Sequence, residues 1–168
     1  LFRVKRLFTS ARLFPYWRRF EKNSEALHSL GVPTLKVIES IRLPELDRTA
    51  VHYEPLPGNI LREVPDFDAG LVTKLGAFIK ELHDKGVYLR SMHLGNVVLT
   101  PEGQLGLIDI ADMKVYRGSL RKGLRLRNLH HLWRYEQDRR AIAVHHKVFV
   151  SAFDAGYRDE ASEMFSPE

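Results

Sequence analysis

No cysteine occurs among the 168 residues. That excludes a disulfide framework and thiolate metal sites, and it fits a reducing compartment. No apolar run approaches the ~18 residues that a membrane-spanning helix requires, and no secretory signal pattern is visible. Glycine is absent until Gly31. Acidic residues are absent from two stretches: residues 1–19 carry six Lys/Arg and no Asp/Glu, and residues 113–135 carry seven and none. Internal repeats, low-complexity tracts and flexible linkers are also missing.

What is present is a basic chain of single-domain size. Its 26 Lys/Arg against 21 Asp/Glu leave a net charge of +5, and the length allows one domain with a real core. The two basic patches predict an anionic partner: nucleotide phosphate, a phosphorylated glycolipid, an anionic membrane face or nucleic acid. The Arg-rich start, Leu1–Leu13, reads as a strand end and solvated connector; alone, it would also suit a transit peptide or an amphipathic surface helix. The acidic tail from Asp154 to Glu168 is expected to fray.

Between these ends the chain alternates strand and helix signals. Pro15 suits a first helical turn, and Trp17, Phe20, Ser24, Leu27 and Leu30 follow near helical spacing until Gly31. Residues 34–43 and 49–54 read as strands joined by a turn at Pro44–Arg48. Pro55-Leu56-Pro57-Gly58 breaks the pattern. A main helix starts near Pro65–Asp68 with an Asp available as its cap. Leu71, Leu75, Phe78, Ile79 and Leu82 form its core stripe, and Gly86 ends it. His83 follows this stripe and reads as a packing and hydrogen-bonding residue. Later come a basic helix at Arg125–Tyr135 and a last amphipathic helix at Ala141–Phe153. The adjacent pairs His130-His131 and His145-His146 lack metal-site spacing, so no zinc is expected.

The organising stretch is Leu82–Asp112. It reads as a helix end, a polar loop, and two short apolar strands joined at Pro101-Glu102-Gly103. Asn96 closes the loop before the first strand, and Asp109 stands near the end of the second. One amide and one carboxylate so placed suit a divalent cation. Leu82-His83 with Gly86, then Arg90-x5-Asn96, then Leu107-Ile108-Asp109, resembles the catalytic loop and metal-binding strand of protein-kinase-like small-molecule kinases. Within them it is most similar to the lipopolysaccharide core (Kdo/heptose) kinase group and its toluene-tolerance-type relatives. The block Leu124–Tyr135 resembles the basic helix that these kinases carry after the metal Asp. The similarity covers roughly residues 20–140.

The resemblance implies an α+β, protein-kinase-like two-lobe fold. Residues 1–55 would form a partial N-lobe and residues 56–168 a mostly helical C-lobe holding the metal-site hairpin. The N-lobe is expected to be incomplete, with the Gly-rich hairpin and the phosphate-holding Lys upstream of Leu1. Asn96 and Asp109 would bind Mg²⁺, and Tyr53, Glu54 and Leu56 would line the adenine slot at the hinge. Arg121, Arg125 and Arg127 would steady an anionic acceptor, and Arg90 would order the loop or contact a phosphate. The reaction implied moves the ATP γ-phosphoryl to a sugar hydroxyl of the lipopolysaccharide core. The setting implied is the cytoplasm, with peripheral contact to the inner membrane face.

The family's loop reads His-x-Asp, with the Asp as proton acceptor. The matching positions here are Leu89, Arg90 and Ser91. A hydroxyl is no general base near neutral pH, so His93 and Asp112 become the substitutes to consider. Phosphoryl transfer depends mainly on positioning and charge neutralisation, so loss of the base need not abolish it. Asn23 falls where the family has a Glu that pairs with the strand Lys, with Glu21 and Glu25 beside it. The leaning is therefore toward an ATP-dependent sugar kinase, with a nucleotide-binding pseudokinase as the alternative. A basic nucleic-acid-binding module is the weakest rival, because no base-stacking motif or DNA-reading helix is recognisable.

Overall fold

Pro15 sets an extended backbone (φ −60°, ψ 150°) from which the first helix, Tyr16–Ser29 (α1), departs. Proline has no N–H to lose at a helix start. The computed structural model of the protein describes residues 15–152. The basic start and the acidic tail, with the expectations made for them, lie outside the described residues. The helix α1 buries Phe20, Asn23, Ser24 and Leu27, close to the stripe its spacing predicts. It ends at Gly31, whose φ of 67° only a glycine adopts freely. Ser24 Oγ and His28 Nε2 then reach the Leu35 carbonyl at 2.8 and 3.1 Å and anchor the chain's exit.

Strands Lys36–Leu43 (β1) and Arg48–Glu54 (β2) pair antiparallel, with a register shift between Val37 and Glu39. A 3₁₀ turn at Pro44–Leu46 joins them, closed by Asp47 in the left-handed region. The linker 55–58 leads into a short strand, Asn59–Ile60 (β3), and a 3₁₀ turn over 61–63. The main helix, Ala69–Asp84 (α2), opens on the expected cap: Asp68 accepts from the Leu71 N–H at 2.8 Å. All five residues of its predicted stripe are buried. Strand Val87–Tyr88 (β4) follows, and then the hairpin Val97–Leu99 (β5) and Leu105–Leu107 (β6) in the predicted place. The order β3-β5-β6 forms a three-stranded sheet, which Thr34 extends by a parallel bridge to Leu107. Gly106 permits that approach, because a Cβ there would stand 2.5 Å from both the Pro33 carbonyl oxygen and Leu56 Cδ2.

The strand Lys114–Val115 (β7) returns to pair with β4. Helices Lys122–Trp133 (α3), Glu136–Ala143 (α4) and His146–Ser151 (α5) complete the described chain. The single helix expected at 141–153 is a correction: the chain breaks near His145 (φ −120°, ψ 28°), and α4 begins five residues earlier. Ile142, Phe149 and Val150 are buried on both sides of the break, so the apolar spacing runs across it and hides it. Helix α5 lies close against α2 at Gly76, where a Cβ would meet that of Ala152 at 2.6 Å. The architecture is mixed α and β, with one core from Leu27 through Leu75, Leu107 and Leu132 to Phe149. No helix among the described residues is long and apolar enough to cross a membrane.

Candidate functional site

A cleft of about 410 Å³ opens where α1, the end of β2 and the β5–β6 hairpin meet. One wall is aromatic: the rings of Tyr16 and Phe20 lie 6.3 Å apart at 21°, and those of Phe20 and Tyr53 lie 5.4 Å apart at 59°. Leu56, Val98 and Ile108 add apolar surface, and Asp109 is the carboxylate on the lining. Such a volume lies within the roughly 300–1,000 Å³ of small-molecule pockets, which pair apolar walls with few polar groups. Two of the three residues expected at the adenine slot, Tyr53 and Leu56, line this cleft. Glu54 does not; it sits exposed at the end of β2, with its Oε2 3.9 Å from Lys36 Nζ.

Asp109 has φ 53° and ψ 49°. It and Asp47 are the non-glycine residues with positive φ among those described. For an L-residue this conformation costs roughly 1–2 kcal/mol, least for Asp and Asn. A strained residue on a cleft wall motivates a functional assignment. The backbone reversal throws residues 110–112 into a 3₁₀ turn that α1 grips. Asn23 Nδ2 donates to the Ile110 and Met113 carbonyls at 2.6 and 3.1 Å, and Arg19 donates to Asp112 Oδ1 at 2.7 Å. Position 23 therefore needs a donor: a carboxylate there would face carbonyl oxygens. Tyr16 OH approaches Asp109 Oδ1 at 3.4 Å, too long for a strong bond, so the carboxylate keeps its capacity to bind. Partial burial, and then the Asp109 charge beside it, push the Tyr16 phenol up from its ordinary value.

Asn96 is buried, and its Nδ2 donates to the Ser91 carbonyl at 2.9 Å. Its own carbonyl accepts from the Ile108 N–H at 3.0 Å, one step beyond the Val97–Leu107 pair. The two expected metal residues thus branch from adjacent steps at one end of the hairpin. Asp109 lies on the cleft wall; Asn96 is buried and is not part of the lining. With Nδ2 engaged, Oδ1 is the Asn96 side-chain atom left to meet a cation. Among the described residues, no group of three or more His, Asp or Glu could hold a metal. The Asn–Asp oxygen pair does not fit zinc. An amide and a carboxylate oxygen are donor types that Mg²⁺ takes, since it commonly binds one or two protein carboxylates and completes its octahedron with water and substrate phosphates; of the two residues, Asp109 is the one on the cleft.

Arg90, Ser91 and His93 gather around a second, smaller pocket of about 190 Å³, together with His131, Arg134 and Tyr135. The His93 ring meets Tyr135 edge-on, with centroids 5.1 Å apart at 75°. Burial, and then the Arg62 charge, lower the pKa of His93, against smaller opposing effects of Asp138 and Asp109. The ring is therefore neutral at pH 7. A buried carboxylate fixes this loop: Asp138 takes two bonds of 2.8 Å from Arg62 and one of 2.9 Å from the Leu94 N–H. The Arg62 guanidinium also stacks over Tyr135 at 5.3 Å. Neither Arg62 nor Asp138 stands out in the sequence; a helix placed at 141–153 left Asp138 outside any element.

The three arginines expected at the acceptor site all stand in the first two turns of α3 or at its cap and differ in exposure. Arg121 is exposed at the start of α3, and Arg125 is half-buried and close enough to His83 to lower its pKa. Arg127 is exposed on a shallow surface shared with His130, His131 and Arg134. None of the three lines either cavity described above.

No family model matches the chain, and no curated protein does. Among solved structures, the chain is similar to a divergent kinase lacking the glycine-rich loop, which regulates membrane ultrastructure of the Toxoplasma parasitophorous vacuole. The identity is 17% and the TM-score 0.41, over 95% of this chain and 56% of that one. The chain thus spans little more than half of that kinase's length, and no residue role is transferred from so distant a likeness.

Proposed function

We propose that the chain is a kinase-like protein that binds ATP with Mg²⁺ and passes the γ-phosphoryl group to a sugar hydroxyl of an anionic acceptor of the lipopolysaccharide-core type. The observation that carries this reading is the Asp109 carboxylate, held in a left-handed turn on the wall of a largely apolar and aromatic cleft. Tyr53 and Leu56 would flank the adenine, and the exposed backbone of the 55–58 linker would meet its edge. Asp109 and Asn96 would hold Mg²⁺, which neutralises phosphate charge when bound.

Ser91 orders the loop through its carbonyl bond to Asn96 but supplies no base. The neutral His93, two residues on, is the loop group able to accept the hydroxyl proton. Arg127 and the basic face around it would draw the acceptor in, and the same charge would allow peripheral contact with an anionic membrane face. A second reading, a nucleotide-responsive pseudokinase in envelope biogenesis, is favoured by Ser91 itself.

Calorimetric titration of ATP with and without Mg²⁺ tests the first reading. Asp109→Asn should weaken the Mg²⁺-dependent part at least tenfold, and an unchanged isotherm would remove the metal assignment. Transfer of labelled phosphate to purified core glycolipid separates the two readings. A gain in turnover on Ser91→Asp would show a site still shaped for catalysis.

A further inference from the structure

The pocket on the 90–93 loop is built almost wholly of donors. Arg90, Ser91, His93, His131, Arg134 and Tyr135 line it together with Met92, and no carboxylate does. The nearby Asp138 is already engaged by Arg62 and the Leu94 N–H. No salt bridge among the described residues involves Arg90 or Arg134. Two ring nitrogens of the lining residues, His93 Nδ1 and His131 Nε2, are buried without a hydrogen-bond partner. More than nine in ten buried polar groups find one, so each exception asks for an explanation.

From the juxtaposition of two guanidinium groups without a salt bridge, two imidazole rings and the serine Ser91 around one small pocket, we infer a binding site for a phosphate-type oxyanion. The volume of about 190 Å³ lies below that of pockets for whole drug-sized ligands, so it suits one charged group of a larger molecule. Arginine forks match phosphate oxygens in a bidentate way, and a neutral imidazole presents one N–H donor as well. The positive field is also felt by His131: burial lowers its pKa, and Arg127, Arg134, Arg90 and His130 lower it further. An anion would relieve that repulsion. The group's role as an anchor for a phosphorylated acceptor beside Ser91 rests on the phosphotransfer reading; the site itself does not.

Inorganic phosphate is the probe, titrated at low ionic strength against the 168-residue chain. Calorimetry and the side-chain resonances of His93 and His131 are the readouts. Saturable binding that shifts both rings is expected, with acetate at least tenfold weaker. Arg134→Ala and Arg90→Gln should each weaken binding tenfold or more, and Arg134→Lys should recover part of it. Arg48→Ala removes the same charge from the exposed β2 strand and should change affinity less than twofold. Non-saturable binding, unmoved His131 resonances, or equal losses in Arg48→Ala and Arg134→Ala would each overturn the site. Phosphate binding without any Mg²⁺–ATP binding would sustain the site while ending the kinase reading. Nucleotide binding without phosphate binding would do the reverse.

Discussion

Polar side chains behind the 89–96 loop and those on the cleft rim are organised in opposite ways. Behind the loop, His83, Asn128 and Asp138 are all 0% exposed. His83 Nε2 meets Asn128 Oδ1 at 3.1 Å, and Asn128 Nδ2 donates to the Leu89 carbonyl at 2.5 Å. Together with Arg62–Asp138–Leu94, these bonds fix both ends of the loop to α2, α3 and α4. On the rim, Asp109 is exposed with one long contact, and the Arg19–Asp112 pair is 38% and 51% exposed. Buried polar groups must be fully paired to be tolerated, so the first set specifies backbone position. Exposed pairs contribute only about 0–1 kcal/mol, so the second set stays free to exchange partners for a ligand.

The largest effect expected from this contrast falls on Asp138. Asp138→Ala strips Arg62 of both its bonds and leaves the Leu94 N–H unpaired. Breaking one side of a buried pair costs about 3–5 kcal/mol. Urea unfolding should show that loss, while Asp112→Ala on the rim should cost less than about 1 kcal/mol. Similar costs for the two variants would erase the distinction.

His83 sharpens the same contrast through pH. Burial brings its pKa from 6.5 to about 4, against the bond to Asn128 Oδ1, which raises it. Because the folded value lies below the unfolded one, the unfolded chain binds more protons between pH 6.5 and 4. Stability is therefore full above pH 6.5 and falls as pH drops toward 4, by up to about 3 kcal/mol. Carboxylates titrate in part of this window too, so the measurement is a difference: His83→Gln should flatten the slope of unfolding free energy against pH. An identical slope in the variant would place His83 among the solvated groups.

Much of this contrast was invisible in the sequence, for a physical reason. The stripe Leu71, Leu75, Phe78, Ile79 and Leu82 was legible because burial imposes a helical period on one element. The β5–β6 hairpin was legible because two apolar runs bracket Pro101–Gly103. The bond from Asn23 to the Ile110 carbonyl spans 87 positions, and that from Arg62 to Asp138 spans 76; local spacing carries no trace of either. Two-residue strands such as β4 and β7 are too short to show a period. The break at His145 is hidden because hydrophobic spacing reports which side is buried, not whether the backbone is continuous. Tyr53, Leu56 and Asp109 share one cleft because the end of β2, the linker after it and the end of β6 meet there, an order along the chain that the sequence shows. Glu54 is not on that wall, because adjacent strand residues point to opposite faces.

The smallest effect, and the most direct probe of the rim, concerns the backbone of Asp109. If its left-handed conformation is held for a ligand, stability should be insensitive to its charge but sensitive to its Cβ. Asp109→Asn should stay within about 0.5 kcal/mol of the parent, as an exposed substitution that keeps a left-handed-tolerant side chain. Asp109→Gly should be more stable than Asp109→Ala by about 1 kcal/mol, because glycine enters this region without a steric penalty. The loss of chain entropy that glycine imposes acts in the other direction, so a positive difference can only come from relief at φ 53°. Thermal unfolding of the three variants decides it. An alanine variant as stable as the glycine one would mean that the backbone at Asp109 relaxes once the carboxylate is gone, and the rim would then be shaped by that side chain rather than waiting for a ligand.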